Sequence, residues 1–329
     1  MKRLDPFKGF RESREEFKKA VPSKVFYNHF SAIAMNITES KDKYDFKNIN
    51  YYNTLKTKNP KFDIDQCRKL LWNAWSTEYA LNISAGDGLD DYYRVAMHWH
   101  FPQAYYSVYL AMTAFHETQG TANDQHEKSI KIFSESVKHG HYPMAVSFYA
   151  EGGHEDFSYH NMSEYKGKNN DFQSLTKVKN LKDAHYQIVS FLKSTREKNV
   201  KDKRKRAETA NSKNKFFQNG KGELLKNFKA KHWNKLYESI PQTSLLNIMY
   251  RLRIKANYHD IEAFLNAEID FQSFHKCLCQ IVGYINLVHE AYILKAIGKA
   301  DYEKVLNGFN QNLCKDLSLK RYNSTLINL

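Results

Sequence analysis

From Phe271 to Ile297 the chain runs long and apolar, and Gly298 ends the run. Strands in compact proteins span about 3–10 residues, so a segment of this length is expected to be a helix buried on most of its circumference. That demand sets the class of its neighbours, because only other elements with apolar faces can cover it. Helix breakers are scarce, with 13 Gly and 6 Pro in 329 residues. This is low for a β-rich or loop-rich chain, and helical spacing dominates.

Over 66–86, Cys67, Leu70, Leu71, Ala74, Trp75, Tyr79 and Leu81 fall on one helical face, and Gly86-Asp-Gly88 stops the pattern. A second helix is expected from Leu89, with Pro102 as a kink or new start. Ala104 to Phe115 then reads as fully buried, and Gly120 closes it. Further helices are expected over 125–139, 181–192, 245–256 and 301–313. The expected fold class is all-α, a helical bundle in which 66–139 packs directly against 241–315. Residues 1–65 read as an N-terminal extension, polar and aromatic, without an assigned structure. The two bundle halves would be 66–140 and 241–329, and 141–240 would be a large insertion between them.

The net charge is +14, from 50 Lys and Arg against 36 Asp and Glu. Fourteen of those cations and only four of the acids lie in 193–232, a net +10. Lys203-Arg-Lys-Arg206 sits at the centre, and Asn, Ser, Gln and Gly follow, which reads as a loop or fraying helix. Cations on one stretch favour a polyanion, because phosphate contacts release counterions. Phe216, Phe217, Phe228 and Trp233 interleave with the charges, the combination that single-stranded nucleic acid exploits. Lys203, Arg204, Lys205, Arg206, Lys213 and Lys215 are the candidate contacts to RNA or another single strand. The plain alternative is a solvated linker whose aromatics tuck back on the bundle. Four scattered cysteines (Cys67, Cys277, Cys279, Cys314) do not form a disulfide framework and suit a reducing cytoplasm. No run of about 18 uncharged apolar residues marks a membrane span, and the start lacks the apolar run of a secretory signal.

Three pieces carry a resemblance to a known family. Gln103-Ala-Tyr-Tyr-Ser-Val-Tyr-Leu-Ala-Met-Thr-Ala-Phe115 is similar to the aromatic-rich second helix of HEPN proteins. Gly120 and His126, ahead of an apolar helix, resemble the family's turn into its third helix. Arg253-Ile-Lys-Ala-Asn-Tyr-His-Asp260 resembles both forms of the family motif, Arg-x4–6-His through His259 and Arg-x-x-Ala-Asn-Tyr through Asn257 and Tyr258. The resemblance implies a HEPN-like bundle. The first motif form points to a metal-independent endoribonuclease of the toxin or phage-defence type, without a cofactor, whose site forms across a homodimer. The second form points to a non-catalytic member that binds nucleotide or assembles with protein partners. A third reading is a helical nucleic-acid-binding protein outside the family.

On the first reading Arg253 and His259 are catalytic and Asn257 orients them or contacts phosphate. Arginine can hold and neutralise a phosphate, and histidine can move a proton near neutral pH. Six residues along a regular helix turn about 600° and rise about 9 Å, so the two side chains would point roughly 120° apart. A bend or a second subunit must bring them together. Otherwise Arg253 is a surface or salt-bridged residue and His259 a helix-cap or turn residue. His275-x-Cys277-x-Cys279 lacks a second pair for a closed zinc site and reads as packing. His98, His100, His139, His141, His154, His160 and the acids Glu151, Glu155 and Asp156 match no metal spacing with known mechanics.

Overall fold

The computed structural model describes residues 8–60, 62–83, 90–153, 156–167, 174–175, 177–209, 215–258, 269–309 and 312–329. Of these, 8–22, 90–91, 207–209, 257–258 and 312–314 are described by their backbone alone. In chain order the elements are α1 (Lys8–Glu39), α2 (Asn50–Thr54), α3 (Ile64–Ile83), α4 (Asp90–Thr118) and α5 (His126–Lys138). There follow β1 (Tyr149–Gly152), β2 (Phe157–His160), α6 (Leu181–Thr209), α7 (Ala230–Glu238) and β3 (Thr243–Ser244). α8 (Leu245–Tyr258), α9 (Phe271–Ile297), α10 (Lys299–Asn307) and α11 (Asn312–Ser324) complete the set. The fold is all-α, as expected, with one small antiparallel sheet in the order β2-β1-β3. At its hairpin Gly152 has φ +104°, and a Cβ there would lie 2.2 Å from the Asp156 carbonyl oxygen, so only glycine fits.

α9 is the hub. Asp270 caps its start by accepting from the Ser273 backbone N–H at 2.8 Å, and Gly298 ends it at φ +83°. It is long and apolar enough to cross a membrane, yet 72% of its most apolar window is buried by the rest of the chain. α4, α1 and α3 pack on it, α4 also packs on α8, and α1 on α6. The expected contact of 66–139 with 241–315 is therefore present.

Two segments outside the expected bundle halves pack on the same core. Phe30 of α1 lies 6.0 Å from Phe101 of α4, 5.9 Å from Phe191 of α6 and 5.2 Å from Phe274 of α9, centroid to centroid. Buried apolar residues of α1 and of the first half of α6 belong to the same core as α4 and α9. α6 also continues past Leu192 through the basic stretch to Thr209. The positions that bury it there, Thr195, Arg196 and Val200, are mostly polar, so apolar spacing alone ends the helix too early. Pro102 lies inside α4 rather than starting a new helix.

A buried ion cluster ties the C-terminal helix to the hub. Arg321 of α11 reaches Glu78 of α3 and Glu290 of α9, each at 2.6 Å. These carboxylates are 2% and 1% exposed. The Trp75 indole N–H and the Tyr302 hydroxyl donate to Glu290 at 2.9 and 3.0 Å, and Asn286 donates to Glu78 at 2.7 Å. Buried charges survive when paired and hydrogen-bonded in this way.

Candidate functional site

α3 and α4 leave a groove of about 800 Å³ between their outer faces, closed at one end by the 122–126 turn. Trp99, Tyr106 and Tyr109 of α4 line it, with Leu70 and Asn73 of α3 and His126 at the first turn of α5. Trp99 is 60% exposed, and Tyr92 and Val95 extend the same side of α4 as exposed apolar residues. The spacing 92, 95, 99, 106 keeps them on one helical face. Glu117 and Asp124 are the acids of the rim.

Behind this wall lies Arg253, near the end of α8. Its Nη2 donates to the Tyr106 hydroxyl oxygen at 2.5 Å. Its guanidinium carbon lies 4.7, 5.5 and 5.7 Å from the ring centroids of Tyr106, Tyr105 and Tyr250. The residue is 9% exposed, and its Nε is buried without a hydrogen-bond partner. His126 packs on the same three tyrosines, at 5.5 Å from Tyr105, 5.9 Å from Tyr106 and 6.0 Å from Tyr250. Its Nδ1 is 3.0 Å from the Tyr105 hydroxyl, which leaves Nε2 for a ligand. Burial, and then the Arg253 charge, lower the His126 pKa. His126 is thus neutral at pH 7, and burial raises Tyr105, which keeps its proton. Tyr106 already accepts from Arg253, so its O–H remains to be donated.

Arg253 therefore does not stand open to a ligand. The structure places it behind Tyr106 as a cation that orients and polarises the wall. Among the described residues the histidine beside it is His126, far away in sequence. His259 lies outside the described residues, and of Asn257 only the helical backbone is described. Sequence spacing along one helix does not detect His126; the likeness of the Gly120–His126 turn to the family is the signal in sequence that marks it.

Among the basic residues, Arg206 pairs with Glu127 of α5 at 2.7 Å, one residue from His126. Lys203 donates to the Ser239 carbonyl at 2.8 Å and Arg204 to the Lys226 carbonyl at 2.9 Å. Lys205 and Lys215 are exposed, and Lys213 lies outside the described residues. Phe217 is buried and Phe228 and Trp233 pack against it, so most of the interleaved rings serve a local core.

Among the described residues the other histidines meet at most in pairs, His100 with His275 at 4.6 Å and His139 with His141 at 5.8 Å. His141 stacks on Tyr51 at 3.9 Å, His160 stacks on Tyr149 at 4.4 Å, and His139 meets the Glu135 carbonyl at 2.7 Å. Nε2 of His275 is 2.9 Å from the Leu81 carbonyl oxygen. His154 and Glu155 lie outside the described residues. Among the described residues no three His, Cys, Asp or Glu side chains converge to hold a metal ion. No protein-family model, curated protein or solved structure matches the chain.

Proposed function

We propose that the chain is a metal-independent endoribonuclease of the HEPN type, with His126 and Tyr106 facing the scissile phosphate and Arg253 positioning both. The observation that carries this reading is the single layer of tyrosines shared by His126 and Arg253 at the groove wall. Neutral His126 takes the 2′-hydroxyl proton at Nε2, while Nδ1–H donates to the Tyr105 oxygen. The 2′-oxygen then attacks phosphorus and the P–O5′ bond breaks, the leaving 5′-oxygen taking a proton from solvent water, giving a 2′,3′-cyclic phosphate and a 5′-hydroxyl. Tyr106 donates its O–H to the phosphoryl oxygen as charge develops, and the nearby Arg253 charge stabilises that oxygen. Trp99, exposed at the groove, offers a face for a base. Lys203, Arg204, Lys205, Arg206 and Lys215 draw the strand in. On this reading the groove is completed by a second copy, and the protein acts in the cytoplasm as a toxin or phage-defence effector.

A second reading has one observation in its favour. Arg253 is turned into tyrosine rings rather than into the groove, which suits a bundle that binds nucleotide or a protein partner without cleaving RNA. Incubation with RNA in EDTA separates the two. Cleavage is expected, with losses of about 10²–10⁴-fold in His126→Ala, a clear loss in Tyr106→Phe and in Arg253→Ala, and little change in His259→Ala. A wild-type protein that leaves RNA intact favours the second reading. Cleavage lost in His259→Ala and kept in His126→Ala moves the proton transfer to His259.

A further inference from the structure

Beyond Val200 of α6 the chain builds a second, smaller core. Val200, Phe217, Leu236 and Tyr237 are buried together, and Phe228 and Trp233 pack against them. Phe217 and Phe228 stack at 5.3 Å with a 14° interplanar angle. The Arg204 guanidinium lies 4.6 Å from the Phe228 centroid and 5.3 Å from that of Trp233. The described residues 215–240 therefore pack as a small core against α6 rather than forming a solvated linker.

Phe216 behaves differently from the other rings. It is 41% exposed. Phe217 meets it edge-on at 5.1 Å and 87°, His232 packs at 5.2 Å, and Lys231 Nζ is 5.9 Å from its centroid. These contacts order the ring while part of it stays exposed, so a base stacking there meets a surface already ordered. From Lys215 to Lys235 there are six lysines against one acid, Glu223. All six are exposed. Lys235 pairs with Glu238, and the other five form no ion pair among the described residues.

We propose that Phe216 and the lysines around it form a platform for single-stranded RNA, where one base stacks on the Phe216 ring and lysines hold the flanking phosphates. Charge selects a polyanion, and the ring selects its form. Bases inside a duplex have both faces stacked already, whereas a single strand can turn one onto Phe216. α6 touches both regions: Arg204 lies over Phe228 of the small core, and Arg206 pairs with Glu127 at the first turn of α5 beside His126. The inference rests on the reading of the chain as a protein that acts on RNA, but it uses none of the groove residues.

The test is binding of a twelve-nucleotide oligouridine and of a duplex RNA of equal length across a salt series. The single strand is expected to bind more tightly. Phe216→Ala should weaken its binding by about ten- to a hundredfold and leave the salt slope unchanged. Replacing Lys215, Lys221 and Lys231 by Ala should reduce the slope of log K against log salt by about 2. Phe216→Trp keeps an aromatic face; it should retain affinity and show a fluorescence quench larger than that of wild type. Circular dichroism and thermal midpoints confirm that each variant folds, and Phe216→Trp serves if Phe216→Ala does not. Equal binding of duplex and single strand overturns the proposal, as does a folded Phe216→Ala protein with wild-type affinity. Polyglutamate bound as tightly as oligouridine also overturns it, since that is a general anion surface. RNA binding that depends on Phe216 without any cleavage sinks the groove reading and keeps the platform. Cleavage with binding indifferent to Phe216 does the reverse.

Discussion

At the scale of single residues, the groove wall turns on how Arg253 and His126 act on each other. A fixed cation beside an imidazole disfavours a second positive charge, and partial burial acts in the same direction. Both lower the pKa of His126, burial being the larger cause. Replacing Arg253 with Gln removes the charge while keeping a donor for Tyr106. His126 is then expected to titrate at a higher pH, closer to the ordinary histidine value, as followed by NMR of the ring protons. An added phosphate anion in wild type should move the titration the same way, because it offsets the guanidinium. An unchanged His126 titration in Arg253→Gln would mean that the two groups are not coupled. Arg253 itself was open to reading as a functional residue from its motif. Its partner was not, because a motif along one helix cannot report which residue another helix brings alongside.

Among the elements, α11 shows how little sequence separation says about importance. It delivers Arg321 to two carboxylates that are otherwise shut away from water. Removing one member of such a buried set leaves uncompensated charge, typically costing about 3–5 kcal/mol. Arg321→Ala is expected to lose stability of that size in urea unfolding. Combining Arg321→Met with Glu78→Gln and Glu290→Gln should recover part of it, because no unpaired charge remains. A loss below about 1 kcal/mol in the single variant, the range of an exposed pair, would show that the cluster is not a buried one. Most helices could be read from spacing. The expected stretch 245–256 matches Leu245–Tyr258 and the expected 125–139 matches His126–Lys138, because their apolar faces are continuous. In α1, Phe30, Ile33, Ala34 and Ile37 have the same helical spacing and are buried. The Lys- and Asn-rich residues around them hide that short stripe. In α6 the buried positions include Arg196, which donates to the carbonyls of Gly152 and Pro241 at 2.9 and 2.8 Å. A buried arginine that seats the sheet against a helix looks, in sequence, like one more charge in a basic run.

For the whole molecule, the buried histidines set an acid limit. Burial lowers His29, His100 and His289 to about 3 and His116 to about 4. Neighbouring cations or imidazoles add to this at His29, His100 and His289. Each folded value lies below the unfolded one, near 6.5. Below pH 6.5 the unfolded chain therefore binds protons that the folded chain refuses, and stability drains toward the unfolded state. The contribution is fully present above pH 6.5 and is lost as pH falls toward about 3, the His116 part by about 4. Each such histidine adds a slope of about 1.4 kcal/mol per pH unit once the unfolded form is protonated. Four together approach about 5 kcal/mol per unit, against a typical total stability of about 5–15 kcal/mol. Urea unfolding at pH 7.5, 6, 5 and 4.5 should show this steepening, with the folded state failing between pH 5 and 4. His29 offers the decisive variant. Both its ring nitrogens are buried without a hydrogen-bond partner, and it stacks on Phe191 at 4.3 Å. His29→Phe keeps the stack and removes a site that only the unfolded chain protonates. It should match or exceed wild-type stability at pH 7.5 and lose less on acidification, by about one proton's worth of slope. Equal acid slopes in His29→Phe and wild type would mean that His29 takes up its proton in the folded state, and that its burial is not the source of the acid limit.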